Sequence, residues 1–181
     1  MSKSDIYSIC RVSDSVAETL PSSLDVNYLL NLLSYAAAEE VRAYYQYRVV
    51  ADFLVGVMRP DVERLFKTNA QDELDDHFQK LLKRISELGG NVETINSLSS
   101  FESLPLAPYR VPVAPYDVLE CVEQNILSEK DAIARYVEIC EFTQGKDLVT
   151  FRVSRQILED EQEHLSDLED LRDDILSSRK G

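Results

Sequence analysis

Six side chains in this sequence have the types and spacing needed to hold cations: Glu40, Glu73, His77, Glu129, Glu161 and His164. The clearest stretch is Ile157–Leu171, ILEDEQEHLSDLEDL. In helical steps of three and four its apolar stripe runs Ile157, Glu161, His164, Leu168, Leu171, Ile175, so a carboxylate and an imidazole stand where leucines are expected. A buried carboxylate without a partner is costly, and an imidazole on the same face makes a shared cation the simplest explanation. One such pair is weak support, because most buried glutamates are salt-bridged structural residues. A near-repeat changes the weight. Glu40-x6-Tyr47 recurs as Glu129-x6-Tyr136, and each is followed, at nearly equal separation, by a glutamate and a histidine. Both histidines of the chain are used. Four carboxylates and two imidazoles converging in one core form the ligand set of a carboxylate-bridged dimetal site, and that donor mixture suits iron or manganese.

Four helices must position these groups. Asp25 caps a first helix reaching about Val55, with stripe Leu33, Ala37, Glu40, Tyr44, Tyr47, Ala51, Leu54. Pro60 and Asp61 start a second, which runs to Leu88 and closes on Gly89-Gly90. Residues 91–115, rich in proline and serine, read as a long connection able to cross a bundle end to end, with one short helical turn near Ser97–Ser103. A third helix spans about Tyr116 to Thr143, its stripe carrying Glu129, and a fourth spans about Lys146 to Ser177. The expected fold is all-α: an up-down four-helix bundle over residues 25–178 with a long crossover between the second and third helices, preceded by an N-terminal arm, 1–24.

The second helix departs from the fourth. It reads Glu73-Leu-Asp-Asp76-His77, a Glu-x-x-x-His with an acid where the fourth helix has its histidine. At about 100° per residue His77 lies roughly 20° from the centre of the apolar stripe of Phe66, Ala70, Leu74, Leu81 and Leu88, and Asp76 about 120° away. Glu73 lies roughly 60° off that centre. The phase therefore favours His77, while a local wide turn would bring Asp76 inward instead.

Composition narrows the partners. With 33 acidic against 19 basic residues in 181, the formal charge of -14 repels phosphate backbones and attracts metal cations, so nucleic acid is not an expected partner. The longest apolar run, Val49–Met58, is broken by Asp52, so no membrane span is expected, and the amino terminus lacks signal-peptide features, so a cytoplasmic location is expected. Three cysteines, Cys10, Cys121 and Cys140, are too scattered for a disulfide framework; Cys121 and Cys140 would sit about 28 Å apart along one helix. Cys140 reads as a small buried hydrophobe or a redox partner of the site. Tyr47 and Tyr136 are either packed core residues or partners of the metals.

The pattern Glu, Glu-x-x-His, Glu-x6-Tyr, Glu-x-x-His resembles the ferritin-like superfamily. Within it, DHFQKLLKRISELGG (Asp76–Gly90) and RYVEICEFTQGKD (Arg135–Asp147) are similar to the Dps-like ferritins, one branch of which is the thioferritins. The resemblance spans roughly Leu24 to Ile175. It implies a bacterioferritin-type site inside each subunit, with Glu40, Glu73, His77, Glu129, Glu161 and His164 as ligands. Two Fe ions per subunit would sit there, Mn being the other candidate, with Glu73 or Glu161 bridging. It also implies a homo-oligomeric shell, a dodecamer, that oxidises Fe(II) with hydrogen peroxide or dioxygen and stores the Fe(III) mineral against oxidative stress. The thioferritins' second cysteine near Glu129 is missing here. Two other readings compete: a dimetal oxidoreductase that stores nothing, such as a manganese catalase or rubrerythrin-like peroxidase, and a metal-free helical interaction module.

Overall fold

A computed structural model describes residues 14–17, 19–56, 58–91 and 117–179. The expected arm and crossover, the turn near Ser97–Ser103 and Cys10 fall largely or wholly outside the described residues. After a single helical turn, Asp14–Ala17, four long helices follow: α1 (Val26–Phe53), α2 (Arg59–Asp72, continued through a π segment Glu73–His77 into Phe78–Glu87), α3 (Val118–Thr143) and α4 (Leu148–Ser178). The ends lie within about two residues of those read from caps and glycines.

Three aspartates start three of these helices. Asp25 accepts from the Tyr28 backbone N–H at 3.0 Å, Asp117 from Leu119 at 2.8 Å, and Asp147 from Val149 and Thr150 at 3.1 Å each. Asp147 does more than cap. Its other oxygen takes Arg84 Nη2 at 2.7 Å, so a nearly fully buried ion pair ties the end of α2 to the start of α4. Gly89 adopts a positive φ of 85° beyond α2, and a Cβ on Gly90 would meet Ile85 Cγ2 at 2.5 Å, so both glycines are needed for the chain to leave the helix there.

Cross-helix contacts give the topology. Tyr28 meets Phe142, Glu39 meets Arg135 and Tyr47 meets Glu129, so α1 and α3 are antiparallel; Arg84 with Asp147 and His77 with Asp160 make α2 and α4 antiparallel too. Because α1 and α2 form one hairpin and α3 and α4 another, α2 and α3 run parallel. The chain between them must return the length of the bundle, about 39 Å for a helix as long as α3.

Two apolar clusters fill the bundle. One gathers Val50, Leu54, Phe66, Val122, Leu168 and Ile175; the other gathers Leu29, Leu33, Leu81, Ile85, Ile139 and Ile157. Each such side chain contributes about 1.5–3 kcal/mol on leaving water. Between the clusters lies a polar layer, and every glutamate and histidine singled out in the sequence is in it. Among the described residues no helix is long and apolar enough to cross a membrane.

Candidate metal centre

The π segment decides which side chains of α2 enter the polar layer. There the Phe78 N–H reaches the Glu73 carbonyl, five residues back rather than four. A turn that wide absorbs one extra residue, so a four-residue step comes close to a full turn and His77 stacks over Glu73, with Nδ1 to Oε2 at 3.1 Å. The wide turn expected to bring Asp76 inward is present and does the opposite: His77 is fully buried, whereas the Asp76 side chain is 46 % exposed and pairs with Lys80. The straight-helix phase set Glu73 off the stripe centre yet close enough to His77 to pair; with the turn it is 1 % exposed while Leu74 is only half-buried. On α4 the equivalent pair, Glu161 and His164, needs no such device. Three residues apart in plain α-helix, they are already adjacent, Nδ1 to Oε2 at 3.3 Å.

All six groups converge. His77 Nδ1 lies 3.2 Å from Glu161 Oε1 and 3.6 Å from Glu40 Oε2, His164 Nδ1 lies 3.5 Å from Glu73 Oε1, and the two rings are 5.9 Å apart. The ligand atoms fall into two groups that could each hold a cation: Glu40, Glu73, His77 and Glu161, and Glu73, Glu129, Glu161 and His164. Glu73 and Glu161 belong to both, one from each hairpin. Although buried, Glu73 Oε1, both Glu161 oxygens and His164 Nδ1 have no hydrogen-bond partner. Oxygen and nitrogen lone pairs that approach one another without bonding are arranged for something placed between them.

The surrounding groups orient these six. Tyr47 Oη donates to Glu129 on the opposite hairpin, and Tyr136 Oη donates to Glu40. Burial, and then the glutamate charges, push both phenols well above 10, so they remain donors. The outward nitrogens are engaged as well: His77 Nε2 faces Asp160 at 3.3 Å and His164 Nε2 faces Asp72 at 3.5 Å. A carboxylate there fixes the tautomer that leaves Nδ1 free for a ligand. These aspartates were overlooked in the sequence reading, although Asp72-Glu73 and Asp160-Glu161 repeat the same dipeptide before each histidine.

Without a cation the cluster balances its charge with protons. Burial, followed by the charges of Glu161 and Glu73, raises Glu40 and Glu129 well above the usual carboxylate range. For Glu73 burial acts upward too, but the neighbouring His164 and His77 imidazoles outweigh it and hold the carboxyl at about 2. Burial works against charge on His164, yet Glu161 and Glu73 push it up to about 11. A cation entering such a cluster displaces protons. Cys121 and Cys140 are both buried free thiols, Cys121 pushed up to about 12 by burial, which fits small apolar packing.

A four-helix bundle enclosing paired Glu-His motifs is the architecture of helical carboxylate proteins. Residues 30–177 match the ferritin-like domain, and the chain belongs to the ferritin-like family. It is 34% identical over 152 residues to the DNA protection during starvation protein of Pyrococcus furiosus, covering 83% of this chain and 80% of that one. A solved thioferritin from Bacteroides fragilis, described as dodecameric and bacterioferritin-related, superposes with a TM-score of 0.80 at 36% identity, covering 93% of this chain and 98% of that one. A ferritin-like diiron-carboxylate protein from Bacillus anthracis superposes at 0.65 with 27% identity, covering 83% and 99%.

Proposed function

We propose that this chain oxidises Fe(II) at the cluster of Glu40, Glu73, His77, Glu129, Glu161 and His164 and stores the Fe(III) as mineral inside a homo-oligomeric shell of twelve copies. The observation that carries the reading is the pair of overlapping ligand groups sharing Glu73 and Glu161, with buried lone pairs left unpartnered. Iron is the substrate here. Two ions would be bridged by Glu73 and Glu161, one completed by Glu40 and His77 and the other by Glu129 and His164. Two Fe(II) give one electron each to hydrogen peroxide, which takes up two protons and leaves as two waters, so no hydroxyl radical is released. Dioxygen is the other oxidant such a pair accepts, and manganese the other metal the donors suit.

The chain's own groups prepare the site. Asp160 and Asp72 hold the imidazole tautomers, and Tyr136 and Tyr47 hold the orientation of Glu40 and Glu129. Storage and assembly are supported by the dodecameric description of the Bacteroides fragilis relative. The Pyrococcus furiosus relative's name refers to DNA protection; with a formal charge of -14, protection by this chain would come from removing iron and peroxide in the cytoplasm without holding DNA. Anaerobic Fe(II) titration followed by peroxide tests the function. Two ions per chain, oxidised with one peroxide per pair in an assembly of about twelve by light scattering, is the expected result. Saturation at fewer than two ions removes the dimetal site, and a monomer removes storage.

A further inference from the structure

The site is reachable from the α1/α3 side through a cavity of about 20 Å3, room for one water-sized species. Its walls are Glu39, Arg42 and Ala43 of α1 and Ser128, Asp131 and Ala132 of α3; its floor is Glu40, Glu73, Glu129 and Glu161. The walls pair up in the internal repeat, Glu39 with Ser128, Arg42 with Asp131 and Ala43 with Ala132, each at the same offset from Glu40 or Glu129. The paired alanines keep open a gap that longer side chains would close. The carboxylates descend in steps: Asp131 is exposed, the Glu39 side chain is 12 % exposed, and the floor is buried. An acidic rim alone would carry no weight. Here the same cavity is also lined by Glu73 and Glu161, which carry buried oxygens without a hydrogen-bond partner.

Glu39 is hydrogen-bonded by Arg135 and also feels the charge of Arg42 on the same wall. Arg135 Nε reaches it at 3.4 Å, while Arg135 Nη1 holds Glu138 at 3.0 Å, so Arg135 keeps a partner when it lets Glu39 go. The opposite face of the bundle offers a wider acidic groove between α2 and α4, lined by Asp72, Asp76, Asp160, Glu163 and Asp167. There, however, it is the His164 ring that meets the groove, with Asp72 on its outward nitrogen, and none of the four cluster glutamates lines it. The geometry points to Glu39 as the relay carboxylate through which a divalent cation passes from the α1/α3 surface to the buried cluster, with Arg135 as the counter-charge it displaces. This rests on the metal reading proposed above and adds the side of approach and the residue that governs it.

Cobalt(II) alone, which binds without being oxidised, is the probe, followed by its visible absorption in stopped flow on the intact assembly. Glu39→Gln keeps the shape and the Arg135 contact. It should still bind two Co(II) per chain but about tenfold more slowly, with a weaker dependence of the rate on salt. Arg135→Gln should bind faster than wild type, an opposite sign that a merely structural role for this ion pair would not produce. Asp167→Asn, in the other groove, should bind at the wild-type rate. Equal rates for wild type and Glu39→Gln, or slowing by Asp167→Asn instead, overturn the inference while leaving the site intact. A wild-type chain that binds no Co(II) overturns the metal reading and this inference with it.

Discussion

The two halves of the cluster reach the same geometry by different helices. On α4, Glu161 and His164 are three residues apart in regular α-helix; on α2, Glu73 and His77 are four apart, and five residues of π-helix bring them together. Each histidine then presents Nδ1 to the shared carboxylates and Nε2 to the aspartate preceding the other half's glutamate. The comparison shows that the Glu-His geometry tolerates an extra residue in a helix when the backbone can confine it to a single wide turn. Downstream phase is what must be kept. Arg84 still points at Asp147, and Leu81 and Ile85 still reach the core.

The largest expected effect comes from the residues both halves share. Glu73→Ala or Glu161→Ala should lose both ions in an anaerobic Fe(II) titration, whereas Glu129→Ala should lose the second ion and peroxide-driven oxidation while the far-ultraviolet helix signal is unchanged. Equal losses for shared and unshared glutamates would break the bridging assignment.

Next comes the wide turn itself. His77→Ala should cost one ion and Asp76→Ala none; the reverse outcome by the same titration would reassign the ligand. Deleting Asp75 makes α2 read Glu-x-x-His as α4 does, and should return the segment to regular α-helix with two ions still bound. A deletion variant that loses an ion would show that the halves are not interchangeable.

The phase downstream of the turn is checked by Asp147→Asn, which leaves Arg84 buried with a weakened partner and should cost about 3 kcal/mol in denaturant unfolding. Burial acts to raise the Asp147 carboxyl, but hydrogen bonds from Thr150 and Arg84 outweigh it and hold it below 3.8. A depressed carboxyl stabilises above its unfolded value and loses that contribution as pH falls through its folded one. The wild-type advantage over Asp147→Asn should therefore be full at neutral pH and shrink below about pH 4; an advantage that grows on acidification would contradict the ion pair.

The smallest effects separate the tyrosines. Each ring is packed in one of the two apolar clusters, and Tyr47 Oη in addition receives Asn69 Nδ2 at 3.4 Å. Each Tyr→Phe change should cost about 1 kcal/mol, slightly more at Tyr47 because Asn69 loses its acceptor. Thermal melts of the two variants side by side measure the difference.

Much of this was legible in the sequence because burial leaves a period. Glu40, Glu129, Glu161 and His164 stood out as polar residues on otherwise apolar stripes, and the near-repeat indicated that the helices carrying them form two equivalent pairs. What stayed hidden depended on contacts between helices or on a break in the period. The π turn changes the phase of α2, so periodicity set Glu73 off the stripe centre even though its pairing with His77 was legible. Asp72 and Asp160 lie off the stripe and acquire meaning only when the opposite histidine arrives. The carboxylates that Tyr47 and Tyr136 meet belong to the other hairpin, and a stripe says nothing about what faces it.

Each group of ligands takes three residues from one hairpin and one from the other: Glu161 completes the set on α1 and α2, and Glu73 completes the set on α3 and α4. The hairpins can form early from local contacts, but no ion can be fully ligated until they dock. On the proposed metal reading, cation affinity would thereby be converted into docking strength. A site holding its ion at a hundred times the dissociation constant adds about 2.7 kcal/mol to the assembled state and nothing to a separated hairpin.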